Sequence, residues 1–243
     1  MSVYACGDLH GRLDIYRKIK EFLKPEDRVI FLGDANDRGP APWALVKEIL
    51  TDPQFIYLRG NHEEMLFDLF ELYWQGELDQ DILTQAASEG TLATLTDLID
   101  DPYDRMWVTT LKGALLPYYE YKNVKGQMVY LSHAGFTPFV DEVAEEIVLP
   151  NDTMLTWDRT HIFHEWPAGA DNVVVVHGHT PTALLHKDLY PHILDAEIPN
   201  AAIWYADNHK VDIDLGAVWT DCALLLNLDT WEEVLFEIPS QKS

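Results

Sequence analysis

Basic residues are scarce: 17 lysines and arginines stand against 41 aspartates and glutamates in 243 residues, a formal net charge of −24. A field of that sign repels nucleic acid and anionic membrane surfaces, so neither is an expected partner. It would also repel a phosphorylated ligand unless cations sat in the site. Cysteine is nearly absent. Cys6 and Cys222 lie far apart inside apolar runs and form no C-x-x-C pair, so a disulfide scaffold is excluded and two buried thiols are expected. The longest apolar stretches, such as Val173–Val176 and Ala223–Leu226, fall far short of the ~20 residues a membrane span needs. No charged segment followed by an apolar one reads as a signal peptide, and a cytoplasmic protein is expected. Nucleotide-binding G-x-x-x-x-G-K-[ST] and G-x-G-x-x-G loops are missing, as is H-E-x-x-H.

What the chain does contain is apolar material for a core, 47% hydrophobic and 12% aromatic, without low complexity or a linker, which fits a single domain over residues 1–243. Val3–Cys6, Val29–Leu32 and Phe55–Leu58 are short apolar runs, each followed by a glycine turn and then by apolar residues three and four apart. They predict three β-loop-α units, with helices over about 12–23, 41–51 and 63–75. If the strands are parallel, all three loops leave the same carboxyl edge of a sheet, where ligand sites of α/β folds concentrate. Residues 80–114 read as two or three amphipathic helices that cover a face or form a lid, with no chemistry assigned to them. From Leu115 onward strands dominate, over 116–121, 128–131, 172–176, 203–205, 211–214, 223–228 and 234–237. The expected fold is α/β, a two-sheet β-sandwich with flanking helices.

Polar residues of one kind recur at the strand ends. Asp8 and His10 follow the first apolar run, Asp34 the second, Asn61 the third, and His133 and His179 follow later ones. Hard divalent ions take oxygen donors and borderline ions accept imidazole, so a mixed Asp/His/Asn set suits Mn²⁺, Fe or Zn²⁺. Asp8 and His10, two apart in an extended turn, can face one ion, and the two oxygens of Asp34 can bridge two. A single histidine after a strand reads as structural. The recurrence is what points to metal.

The motifs GDLHGR at 7–12, GDANDRG at 33–39 and GNHE at 60–63, with the later histidines, resemble the calcineurin-like metallophosphoesterase superfamily and its αββα fold. The DRG and GNHE pair resembles the PPP-type serine/threonine protein phosphatase branch. GNHEEM at 60–65, TWDR at 156–159, GHTP at 178–181 and IDLGAVW at 213–219 are similar to the small bacterial and phage phosphatases of the lambda phosphatase type. The resemblance implies two divalent ions, Mn²⁺ foremost. Asp8, His10 and Asp34 would hold one, and Asp34, Asn61, His133 and His179 the other. It implies His62 as general acid oriented by Asp37, and Arg38, Arg159 and Asn61 as substrate-binding groups, with Arg38 also catalytic. His177 is then a supporting residue, and Pro181 stands where other superfamily members have a further histidine.

Asn36, where valine is usual, and Arg12, where a small or polar residue is more frequent, depart from the pattern without removing a ligand, and 191–207 reads as an insertion near the site rim. His161, His164, His186, His192 and His209 lack ligand spacing and read as structural or surface residues. The expected activity is metal-dependent hydrolysis of phosphomonoesters on proteins, peptides or small molecules. Symmetrical diadenosine tetraphosphate hydrolases share most of these motifs and supply the alternative. A non-catalytic metal-binding protein is the reading from another class.

Overall fold

The computed structural model describes residues 1–141, 146–189 and 200–239. The first third comprises β1 (Val3–Cys6), α1 (Leu13–Phe22), β2 (Arg28–Phe31), α2 (Pro42–Thr51), β3 (Phe55–Tyr57) and α3 (Asn61–Gln75), the three expected β-loop-α units. Helices α4 (Gln80–Glu89), α5 (Thr91–Ile99) and α6 (Asp104–Ala114) follow. Beyond them come β4 (Tyr118–Lys122), β5 (Met128–Ser132), the small pair β6 (Phe139–Asp141) and β7 (Glu146–Val148), α7 (Asp152–Trp157) and β8 (Val173–His177). The chain continues with α8 (Thr182–Leu189), β9 (Ile203–Tyr205), β10 (Lys210–Asp212), α9 (Ala217–Thr220), β11 (Cys222–Asn227) and β12 (Glu233–Glu237).

Two five-stranded sheets face each other, one ordered β12-β11-β1-β2-β3 and the other β4-β5-β8-β10-β9. They do not divide the chain into an N-terminal and a C-terminal half. The last two strands return to the first sheet, β11 lying antiparallel to β1 with Ala5 opposite Leu226. Strands β1, β2 and β3 are mutually parallel, as are β5, β8 and β10, so six loops leave the carboxyl edges of two facing sheets.

The alternation of side chains along a strand explains why these runs are apolar throughout. In β1 and β2, Val3, Ala5 and Ile30, together with Leu32 just past β2, enter the layer between the sheets. Tyr4, Cys6, Val29 and Phe31 turn outward onto the helices. In β8, Val174 and Val176 enter the same inner layer, while Val173 and Val175 face outward with Tyr130 and Phe136. Both faces are buried, so no polar position interrupts the run. Helices α4 to α6 cover the outside of the first sheet through Ala86, Leu95, Leu98, Val108 and Leu111.

Leu226, fully buried in the inner layer, anchors the returning strand. Its replacement by alanine is expected to cost about 3 kcal/mol, from lost transfer energy and the cavity left behind. A urea titration would read this as a lower midpoint at unchanged slope.

The strand β9 lies within the stretch read as an insertion, 191–207, and forms an edge of the second sheet. Residues 191–199, with His192, lie outside the described residues. Both cysteines are buried and unpaired. Among the described residues no helix is long and apolar enough to cross a membrane.

Candidate metal and active site

The polar residues singled out at strand ends meet between the carboxyl edges of the two sheets. Asp8 and His10 come from the loop after β1, Asp34 from that after β2, His133 from that after β5, and His179 from that after β8. Asn61 and His62 are not in a loop, as the motif suggested, but in the first turn of α3. The loops hold unusual backbone geometry. His10, Asp34, Asp37, Arg38 and His179 all have φ between 40° and 69°, a left-handed conformation costing about 1–2 kcal/mol for a residue with a Cβ. Strain of this kind concentrates where a fold over-determines a functional site. Two glycines allow the close approach: a Cβ at Gly60 would collide with the Asp34 carboxylate, and one at Gly178 with that of Asp8.

Asp34 is the centre. Its Oδ1 accepts the His62 backbone N–H at 3.0 Å, and its Oδ2 lies 3.5 Å from His133 Nε2, 3.6 Å from His10 Nε2 and 4.0 Å from His62 Nε2. His10, Asp34 and His62 present ligand atoms within 4.8 Å of one another, and so do Asp8, Asp34 and His133. Asp34 belongs to both groups. Asn61 Oδ1 is 2.9 Å from His133 Nε2 and 3.0 Å from His179 Nδ1.

The donor set fits divalent cations because it is short of protons. His133 Nδ1 donates to the carbonyl of Leu32 and His10 Nδ1 to that of Asn36, which leaves a lone pair on each Nε2 facing the centre. Burial pushes the His133 pKa down to about 3 and holds that of His10 well below the ordinary histidine value, so neither ring supplies the missing proton. His179 Nε2 is buried without a hydrogen-bond partner. Burial, then the charges of Asp214 and Asp34, lifts the Asp8 carboxyl well above the usual range, and burial pushes that of Asp34 up to about 7. Crowded carboxylates and imidazole lone pairs without counter-charge are what a pair of cations would satisfy. The guanidinium of Arg38 already reaches toward them, Nη1 2.9 Å from His10 Nε2 and Nη2 2.7 Å from His62 Nε2.

His62 donates from Nδ1 to Asp37 Oδ2 at 2.5 Å. Burial lowers its pKa, but the Asp34 charge and the Asp37 hydrogen bond outweigh this and raise it overall. Asp37 is fully buried and receives three more side-chain donors: Thr91 Oγ1 at 2.7 Å, Thr94 Oγ1 at 2.6 Å and Asn36 Nδ2 at 2.8 Å. Asn36 Nδ2 also donates to the His62 carbonyl at 2.8 Å, so the departure from the family pattern joins the two members of the pair. Residues 80–114, to which the sequence assigned no chemistry, supply both threonines. Arg12, the other departure, braces the first loop through Asp14, Asp221 and the Ala217 carbonyl.

Arg159 reaches the site rim, donating to Thr180 Oγ1 and the His179 carbonyl at 3.2 and 3.3 Å. A pocket of 430 Å³ opens over the cluster, with Asp34, Asn61 and His179 in its floor and Arg38, Arg159 and Trp219 in its walls.

Two residues were missed at the sequence level despite a local signal. Glu63 accepts the backbone N–H groups of Asp34, Ala35 and Gly60 at 2.9 Å each and the Tyr57 hydroxyl at 2.6 Å. The signal was a glutamate at the third position of a helix after Gly60, a capping arrangement. Asp214, two residues past β10, repeats the strand-end pattern of the other loops, and its charge is the foremost one acting on Asp8. His161 and His177 are buried structural residues, bonded to the Ala134 carbonyl and the Tyr205 hydroxyl respectively. His209, read as a surface residue, is instead partly buried and stacked on Trp166 at 4.7 Å, where a planar ring covers an indole more readily than water does.

An αββα sandwich with such a donor set between its sheets belongs to the metal-dependent phosphoester hydrolases as a class. A model of the calcineurin-like phosphoesterase family matches residues 1–217, and the chain belongs to that family. Over 72 residues it is 32% identical to serine/threonine-protein phosphatase 2 of Escherichia coli strain K12, a match that covers 28% of this chain and 33% of that protein. The chain thus aligns with about a third of that relative's length. Among solved structures, a candidate diadenosine tetraphosphatase superposes with a TM-score of 0.59 at 16% identity, over 96% of this chain and 91% of that one. A cold-active protein-tyrosine phosphatase of a psychrophilic Shewanella species superposes with a TM-score of 0.57 at 16% identity, over 96% and 77%. These structural likenesses concern the fold.

Proposed function

We propose that this chain is a single-domain, metal-dependent phosphatase that hydrolyses phosphomonoesters, with serine/threonine phosphoproteins or phosphopeptides as its main substrates. The observation that carries the reading is the convergence of Asp34, Asn61, His133 and His179 with too few protons to satisfy one another. The shared segment with a bacterial serine/threonine-protein phosphatase supports the substrate class. The two buried, unpaired thiols agree with a reducing, cytoplasmic setting.

Asp8, His10 and Asp34 would hold one divalent ion, and Asp34, Asn61, His133 and His179 the second, Mn²⁺ being the expected metal. When bound, such a pair supplies Lewis acidity and charge neutralisation for in-line attack of water on phosphorus. The chain's own residues do the rest. Arg38 and Arg159 grip the phosphoryl oxygens, for which a planar guanidinium offers paired donors. As Arg38 turns onto phosphate it releases His62 Nε2, which then holds the proton that the departing alkoxide needs. Asp37 fixes the ring through Nδ1 and stabilises its charged form, and Asn36, Thr91 and Thr94 keep Asp37 aimed.

The test is a substrate panel on chelated and metal-resupplied protein, with a phosphoserine peptide, p-nitrophenyl phosphate and diadenosine tetraphosphate, and with Mn²⁺, Fe²⁺ or Zn²⁺ returned separately. Hydrolysis should vanish on chelation, return with one of these ions, and favour the monoesters. Turnover independent of divalent ions, or binding of two ions with no hydrolysis of any ester, would remove the proposal. Preferred cleavage of the dinucleotide would transfer the chain to the alternative reading.

A further inference from the structure

We infer that the groove between α3 and α4 is a second subsite of this site, one that takes the part of a phosphorylated peptide next to the phosphoresidue and selects apolar and cationic side chains there. The inference rests on the phosphoesterase reading and names the substrate chemistry within it.

The groove is continuous with the site. The pocket above the metal cluster, 430 Å³, and the groove, 240 Å³, share Met65, Gln85 and Glu89 in their linings. The groove therefore adjoins the place where a phosphate on the cluster would sit. It is also held rigidly. Gly90, directly after α4, packs so closely on Arg38 that a Cβ there would lie 2.6 Å from the Arg38 nitrogen, and the next helix holds Asp37 through Thr91 and Thr94. The groove is thus fixed in register with the catalytic pair.

Charge points the same way. The pocket over the cluster has two cations in its lining, Arg38 and Arg159, beside Asp34 and the shared Glu89. The groove has none: Asp68 and Glu89 line it together with apolar Leu69, Leu72, Ile82 and Ala86. A second nucleoside with its own phosphates would bring negative charge against those carboxylates, which is unfavourable in a chain already at −24. A peptide side chain that is apolar along its length, with a positive end, matches both the walls and the carboxylates, as lysine and arginine stems do. Cations are confined to the pocket over the cluster, and the adjoining groove carries carboxylates alone.

The experiment compares two phosphoserine peptides that differ only in a lysine or an aspartate beside the phosphoserine, on Mn²⁺-loaded wild type, Glu89→Lys and Asp68→Lys. The readout is the ratio of kcat/KM for the two peptides on one enzyme preparation, so that any general loss of activity cancels. Lysine also suits the last turn of a helix, which guards the fold of Glu89→Lys. Wild type should prefer the lysine peptide by about fivefold, the range of a partly exposed charge pair. Each substitution should erase or invert that preference, mainly through KM. A ratio near one in wild type, or a ratio that neither substitution moves, would overturn the subsite while leaving p-nitrophenyl phosphate hydrolysis and the phosphatase reading intact. Failure of the metal-loaded wild type to hydrolyse any phosphomonoester would instead overturn that reading and the subsite with it.

Discussion

Asp34→Asn is expected to lower phosphoester hydrolysis by at least about 10³-fold, because the several kcal/mol a divalent pair contributes to the transition state depend on its shared ligand. The same change is expected to make the metal-free protein more heat-resistant. In the native chain Asp34 is 2% exposed, and three imidazole nitrogens lie within 4.0 Å of its Oδ2. Burial and the neighbouring Glu63 both disfavour its charge, although His62 and Arg38 favour it. Without metal, the carboxylate is a desolvated anion that His62 and Arg38 offset only in part. Asparagine keeps the shape and the acceptor for the His62 backbone N–H, and its amide can donate to an imidazole lone pair, but it cannot neutralise two cations. Melting curves with and without Mn²⁺ separate the effects. Wild type should gain several degrees on adding metal, since a ligand that binds only the folded state stabilises it. The variant should start higher and gain little. Hydrolysis within tenfold of wild type, or an unchanged metal-induced gain, would remove Asp34 from the bridging role.

The layered fold was legible because its strands advertise themselves: β1, β2 and β8 are buried on both faces over Val3–Cys6, Val29–Phe31 and Val173–Val176, and no polar residue interrupts those runs. The place of the last two strands was not, because Ala223–Leu226 would bury equally well in either sheet, and only its pairing with β1 decides. The ligand candidates were legible for a similar reason, each being a polar residue where an apolar run stops. Asp214 obeyed that rule and stands inside IDLGAVW at 213–219, but the resemblance assigns no ligand in that motif, so its carboxylate received no role. The surroundings of Asp37 were beyond reach. Thr91 and Thr94 lie 54 and 57 residues away from it, on a helix whose local sequence calls only for an amphipathic pattern. Their role comes from the way α5 lands on the loop after β2, and no local propensity encodes that. The left-handed backbone at His10, Asp34, Asp37, Arg38 and His179 was equally hidden, because none of these residues is a glycine and strain of this kind follows from tertiary constraint.

The remaining large effect concerns the proton. His62→Asn is expected to lower kcat on a phosphoserine peptide by about 10³-fold, within the 10²–10⁴ that a positioned general acid contributes, and to lower kcat on p-nitrophenyl phosphate by only about tenfold. Serine alkoxide is a strong base and cannot leave without a proton, whereas nitrophenolate carries its own charge away. The substitution is conservative for everything else His62 does. The backbone N–H bonded to Asp34 and the carbonyl bonded to Asn36 both remain, so the floor of the site should hold its shape and the metal-induced gain in melting temperature should persist. Asp37→Asn should give a weaker version of the same pattern, because the ring would keep its place but lose the negative charge that stabilises its protonated form. A metal-site defect would depress both substrates alike, and so would a folding defect. Equal losses on the alkyl and aryl esters, with metal binding intact, would therefore sink the general-acid role and leave His62 as a support for the Asp34 carboxylate.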